Sequence, residues 1–300
     1  MNAPSSQATT TDGDVFVPEK AAAYPSVRRS SSSSCRFVVT GFGPFRGVSD
    51  NPTSVLSRRL GEVVGGATAV PAGRPGPRRV FLLESRVMET SASAARADVG
   101  GIYGRLESSS RVEDDGDVDD GNITTVVLHL GVDRNATAFK LERCAYNDAT
   151  FRVPDEGGYM PNNECISLLR RDDDRDDDGK SKPLAHDWGR CIETTLDLDD
   201  LCGRLRGEQD EAVMVSADPG RFVCNYTYYL SLNRCRTMND DLRGTMLHDA
   251  GGSRDATPRW HALFVHVPPF DVIPEQRQLD FILRVMEAIE WQVMPIDDKR

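Results

Sequence analysis

Ile123-Thr-Thr-Val-Val-Leu-His-Leu130 decides the fold. Its apolar residues fall on both faces of an extended chain, the pattern of a central strand covered on either side rather than of one with a wet face. Working outward, similar short runs recur at Arg36-Phe-Val-Val-Thr40, at 79–84 (R-V-F-L-L-E), at 211–216 (E-A-V-M-V-S) and at 260–267 (W-H-A-L-F-V-H-V). Between them lie helical stretches. Asn51 can cap, and Pro52 can occupy the first turn of, a helix to about Leu60. Residues 90–105 are weakly helical, and 276–292 carry Leu279, Ile282, Leu283, Met286 and Ile289 at spacings of three and four, the stripe of a helix that covers one sheet face. Apolar strands alternating with helices predict an α/β fold with a largely parallel sheet.

A chain of 300 residues that is 39% hydrophobic and 28% charged can bury a sizeable core, which excludes collagen-like, membrane-embedded and wholly disordered classes. The formal net charge of -11 is local: residues 113–120 hold six acids, and 172–178 hold six acids and one arginine. Setting these aside leaves 35 basic and 35 acidic residues of the 36 and 47. A neutral body without a basic stripe argues against nucleic-acid partners. No apolar run reaches the roughly 18 residues of a membrane span. Seven scattered cysteines without a C-x-x-C pair suit a reduced, cytoplasmic chain. Residues 1–35, rich in Ser, Thr, Ala and Pro, read as a disordered tail before a domain at 36–300. Polar insertions are expected near 107–121, 171–182 and 236–258.

Chemistry concentrates in three places. In 216–232 (S-A-D-P-G-R-F-V-C-N-Y-T-Y-Y-L-S-L) an apolar strand ends, Asp218-Pro-Gly220 supplies a turn, and helical spacing resumes. Cys224 then falls at a helix N-terminus, where the macrodipole and free N–H groups favour a thiolate; the alternative is a small buried hydrophobe. A base is needed beside it. His266, at the C-terminal end of an apolar strand, lies where α/β proteins place their sites, whereas His129, flanked by leucines, reads as core. His186, His248 and His261 occupy polar surroundings. A carboxylate to orient the imidazole is available in Glu142, set among apolar residues of 137–147 (T-A-F-K-L-E-R-C-A-Y-N). Two other motifs carry less. Gly41-Phe-Gly43 with Gly47 is one residue off the dinucleotide fingerprint and is interrupted by Pro44, and no His or Cys pair has zinc spacing. No metal and no cofactor is expected.

Four segments, in order, resemble the pyroglutamyl peptidase I (pyrrolidone-carboxylate peptidase) family: V-V-T-G-F-G-P-F with Asn51-Pro52; H-L-G-V with A-T-A-F-K-L-E-R-C-A-Y-N; D-P-G-R-F-V-C-N-Y-T-Y-Y-L-S-L; and F-V-H-V-P-P. The resemblance implies a single three-layer α/β/α domain and a cysteine omega-peptidase that acts on N-terminally pyroglutamylated peptides. It implies a triad of Cys224, His266 and Glu142. It also implies a ring pocket of Phe42, Phe45, Phe222, Val223 and Val153, with Asn51 nearby and Arg152 organising the site. Pro219 stands where the family often has a small residue, and the added polar segments lengthen the interval between Cys224 and His266. Rival readings are a nucleoside phosphorylase-like enzyme, for which turnover would depend on phosphate, and a non-catalytic peptide-binding protein. Oligomeric state is not legible in the sequence.

Overall fold

The computed structural model describes residues 34–45, 48, 50–64, 81–111, 123–167, 187–206, 212–248 and 258–294. The expected tail before residue 34 and the acid-rich runs at 113–120 and 172–178 lie outside the described residues. Six strands make the main sheet: β1 (Ser34–Phe42), β2 (Phe81–Met88), β3 (Ile123–Val132), β4 (Phe139–Glu142), β7 (Val213–Ser216) and β8 (Trp260–Val267). A separate antiparallel pair joins β5 (Cys144–Tyr146) and β6 (Cys191–Glu193). The helices are α1 (Pro52–Val64), α2 (Ala92–Arg111), α3 (Leu198–Leu205), α4 (Val223–His248) and α5 (Glu275–Val293).

The sheet order is β2-β1-β3-β8-β4-β7. All pairs are parallel except β4 with β8. Residues 133–138 are too few for a crossover, so the chain leaving β3 must turn back, and β4 runs against β8. Strand periodicity then sorts the core into two halves. Phe37, Val39, Val126, Leu128 and Val265 face Leu56 and Leu60 of α1, Leu198 and Leu201 of α3, and Leu279, Ile282, Met286 and Ile289 of α5. Val38, Val127, Ala262 and Phe264 face Ile102 and Tyr103 of α2 and Tyr228, Tyr229 and Leu232 of α4. This is the expected largely parallel α/β fold, with helices on both faces of the sheet.

Three expectations need correction. Ser34 and Cys35 belong to β1, with Cys35 fully buried, and not to a tail. Residues 107–111 are the last turn of α2 rather than the start of an insertion. The supposed polar excursion at 236–258 begins as helix, because α4 runs to His248 and buries Met238 and Asn239 on its inner face. A helix that is mostly polar can still be held by a few inward residues.

Candidate active site

Cys224 is delivered by a turn that the sequence specifies tightly. After β7, the Ser216 hydroxyl accepts from Asp218 N–H at 3.2 Å and the Asp218 carboxylate accepts from Gly220 N–H at 3.1 Å. Gly220 has φ +77, a left-handed conformation that suits glycine. The first bond of α4 runs from Tyr226 N–H to Phe222 C=O at 3.1 Å, which leaves the N–H groups of Val223, Cys224 and Asn225 outside the helical ladder. The half-buried Cys224 therefore sits in the first turn, at the positive end of a long helix. Its sulfur rests over Gly131 of β3: a Cβ added there would lie 3.1 Å from the sulfur and 2.6 Å from the Phe264 ring.

His266 and Glu142 meet across the antiparallel junction. In the β4–β8 register Glu142 pairs with Phe264 and Lys140 with His266, so Glu142 and His266 occupy a diagonal on one face, within reach of long side chains. His266 Nδ1 lies 2.8 Å from Glu142 Oε1. Both residues are buried, Glu142 completely. Cys224 lies near the imidazole, close enough to influence its charge. Burial alone would lower the His266 pKa, but the adjacent Cys224 and Glu142 outweigh it and raise the value to about 10. The site thus favours the protonated ring. Glu142 is held from behind by Tyr228, whose hydroxyl donates to its backbone carbonyl at 2.8 Å.

His129 is core, as its leucine neighbours suggest. It is fully buried, its Nδ1 lies 2.7 Å from Thr40 Oγ1, and burial lowers its pKa to about 3. His261 differs from the expectation of polar surroundings: it lies buried in β8, beside Thr195 Oγ1 at 2.6 Å, and burial lowers its pKa to about 4. His186 lies outside the described residues.

The pocket candidates fall into three groups. Phe45 and Phe222 are half-buried and pack with ring centroids 6.4 Å apart. Phe42 and Val223 are buried, Phe42 against Phe264 at 6.4 Å, so they underlie the site rather than line its surface. Arg152 and Val153 stand exposed on the loop after β5. Asn51 is committed to the protein: its amide donates to Gly43 C=O at 2.9 Å and its oxygen accepts from Thr53 N–H at 3.1 Å and the Thr53 hydroxyl at 2.9 Å. It caps α1 and anchors the 42–45 turn. The sequence reading missed Gly131 and also Phe151, which is buried edge-on to Phe222 at 4.8 Å. Neither the crowding at Gly131 nor Phe151 carried a local signal. All seven cysteines are free. Among the described residues no three His, Cys, Asp or Glu side chains converge as a metal site, and no helix is long and apolar enough to cross a membrane.

An α/β/α protein with an imidazole paired to a buried carboxylate, and a cysteine nearby at the same end of its sheet, is the class that fold and geometry define. Within it, the chain resembles the pyroglutamyl-peptidase, or pyrrolidone-carboxylate peptidase, family. It is 28% identical over 162 residues to pyroglutamyl-peptidase 1 of Rattus norvegicus, a match spanning 54% of this chain and 57% of that relative. It is 24% identical over 241 residues to the pyrrolidone-carboxylate peptidase of Levilactobacillus brevis, covering 80% of this chain and 84% of that one. In fold it matches a mutant pyrrolidone carboxyl peptidase of Pyrococcus furiosus with a TM-score of 0.58 at 18% identity, over 86% of this chain and 100% of that chain. No family model matches.

Proposed function

We propose that this chain is a cysteine omega-peptidase that hydrolyses the bond between an N-terminal pyroglutamyl residue and the rest of a peptide. The observation that carries the reading is the 2.8 Å contact of His266 Nδ1 with Glu142 Oε1, at the end of the sheet where Cys224 also sits. An imidazolium beside sulfur favours the thiolate, the nucleophilic form. That thiolate attacks the carbonyl carbon of the scissile amide, and the oxyanion is stabilised by N–H groups at the start of α4. His266 gives its proton to the leaving amine, and a thioester remains. The neutral imidazole then takes a proton from water as the hydroxyl adds to the thioester, which restores the imidazolium; collapse breaks the C–S bond, regenerates the Cys224 thiolate and frees pyroglutamate, whose carboxyl proton passes to solvent. Glu142 fixes the ring's orientation and stabilises its charge. These steps need no cofactor. We read residues 34–300 as a single peptidase domain, and the chain as cytoplasmic on the strength of its free thiols.

The pocket reading predicts specificity. A pyroglutamyl ring is neutral, because its nitrogen is in a lactam, so it can be buried beside Phe45, Phe222 and Val153, above Phe42 and Val223, without an ion partner. A prolyl N-terminus carries a charged amine, whose desolvation costs several kcal/mol. Pyroglutamyl-aminomethylcoumarin should be cleaved at least about a thousandfold better in kcat/KM than its prolyl, glutamyl or glutaminyl counterparts, a ratio of roughly 4 kcal/mol. Cleavage should not require phosphate and should vanish in Cys224→Ser. Iodoacetamide at pH 6 should label Cys224 ahead of the other cysteines, in proportion to lost activity. Comparable rates on the prolyl substrate would remove the pocket assignment; full activity in Cys224→Ser would remove the nucleophile.

A further inference from the structure

Two side chains flanking Cys224 reach back to the same short stretch of chain. Asn225, fully buried, donates to Tyr146 C=O and Asp148 C=O, each at 2.9 Å, and accepts from Tyr146 N–H at 2.8 Å. Arg221, at the last turn before the helix, donates through Nε to Asp148 Oδ2 at 3.1 Å and through Nη1 to Asp218 Oδ1 at 2.8 Å and Gly220 C=O at 2.6 Å. Its guanidinium lies 4.0 Å from the centre of the Tyr146 ring. The Asp148 carboxylate is oriented from its other side by the Thr150 hydroxyl at 2.6 Å, and Thr150 N–H reaches Arg221 C=O at 3.3 Å.

The stretch so gripped connects two parts of the candidate site. It follows Glu142 by a few residues and leads directly into Phe151, Arg152 and Val153. Asn225 satisfies buried backbone groups, so its loss would damage folding as such. Arg221 is different: about a third of its side chain is exposed, at 32%, and it fills no core. Its bonds are aimed at turn and loop geometry. An isolated surface ion pair contributes little to stability. A planar fork with several acceptors and an aromatic face beneath it instead fixes relative position, and lysine cannot reproduce that pattern.

We propose that Arg221 is a positioning residue, clamping the turn that delivers Cys224 to the loop that carries Phe151, Arg152 and Val153 through Asp148. Its effect on turnover rests on the peptidase reading; its effect on the placement of the thiol does not. Small misplacements of reacting groups can cost about a hundredfold in rate. The full-length chain and its Arg221→Met, Arg221→Lys, Asp148→Asn and Arg221→Met/Asp148→Asn variants are compared, with Arg204→Met as control because Arg204 pairs with Asp200 on the surface of α3, away from the candidate site. The measurements are kcat and KM for pyroglutamyl-aminomethylcoumarin, the rate of Cys224 alkylation by iodoacetamide, and the thermal midpoint.

Arg221→Met should lower kcat/KM by about thirtyfold or more and slow alkylation by about fivefold, while Arg221→Lys recovers only a minor part and Arg204→Met changes neither. Asp148→Asn should behave like Arg221→Met, and the double variant should be no worse than the worse single one, because both remove one clamp. Alkylation and kcat/KM within about threefold of the parent in Arg221→Met, full rescue by lysine, or additive losses in the double variant would each overturn the proposal. If Arg221→Met does not fold, Arg221→Lys and Asp148→Asn decide it by the same limits. If the parent does not cleave the pyroglutamyl substrate, the peptidase reading fails, and the alkylation rates still decide the clamp.

Discussion

Glu142 has one oxygen on His266 Nδ1, and the other is buried with no hydrogen-bond partner among the described residues. A carboxylate so placed stabilises a cation on the ring, and this has a measurable pH consequence. The His266 pKa is raised from 6.5 to about 10, so the proton needed by the leaving amine, and the folded-state stabilisation it brings, is fully present below pH 6.5 and is lost as pH rises through about 10. In Glu142→Gln the negative charge is gone while the size is kept. The alkaline limb of kcat/KM should move to lower pH by about one unit or more, and kcat at neutral pH should fall by about a hundredfold. An alkaline limb unchanged in the variant would show that Glu142 does not act on the imidazole. Residues of this kind were legible singly: Cys224 from the turn and helix around it, His266 from its place at a strand end. What a single sequence does not encode is the β4–β8 register that brings Glu142 to His266, and for that assignment the family resemblance was needed. Gly131 was missed for a related reason, since the obstruction to a Cβ comes from Phe264 and Cys224, far away in the chain.

At the level of elements, legibility followed burial pattern. The helix α5 was readable because its apolar stripe is regular, and Leu279, Ile282, Met286 and Ile289 are all buried in the structure. The far half of α4 was not, because its polar sequence hides what one buried amide does. Asn239 accepts from the N–H groups of Arg259 at 3.0 Å and Trp260 at 3.1 Å and donates to Trp260 C=O at 2.9 Å. It thereby ties the helix to the first residues of β8, the strand that ends in His266. Similarly, β4 is four residues long and interrupted by Lys140, too short for a period to show. Asn239→Ala would leave three backbone groups without these partners. It should lower stability by about 1–3 kcal/mol, read as a fall in the denaturation midpoint, while kcat per folded molecule stays near the parent value. A loss of kcat without a loss of stability would mean that α4 transmits its far end to Cys224.

Across the whole molecule, the points where residues 112–122 and 249–257 join the described body lie at the end of the sheet opposite the candidate site. Residues 112–122 join the end of α2 to the start of β3 at Ile123, and residues 249–257 join the end of α4 to Pro258, just before β8. In the parallel β3–β8 pair, Thr125 lies beside Trp260 at this end and Gly131 beside His266 at the other. Six residues of strand separate the two levels, a rise of roughly 20 Å. A segment attached at the first end is therefore joined to the body far from Cys224, His266 and Glu142. Of the two acid-rich runs, 113–120 enters here and carries six acids of the excess that gives a net charge of -11. Its attachment to β3 lies beyond the Debye length of about 8 Å at physiological ionic strength from the imidazole, which is the ground for expecting little effect on the ring. Deleting 113–120 should raise the isoelectric point and leave kcat/KM for pyroglutamyl-aminomethylcoumarin within about twofold of the parent. The pH profile should keep its alkaline limb, in contrast to Glu142→Gln. A shift of that limb, or a loss beyond about tenfold with the fold retained, would mean that the acidic run reaches around the molecule to the site.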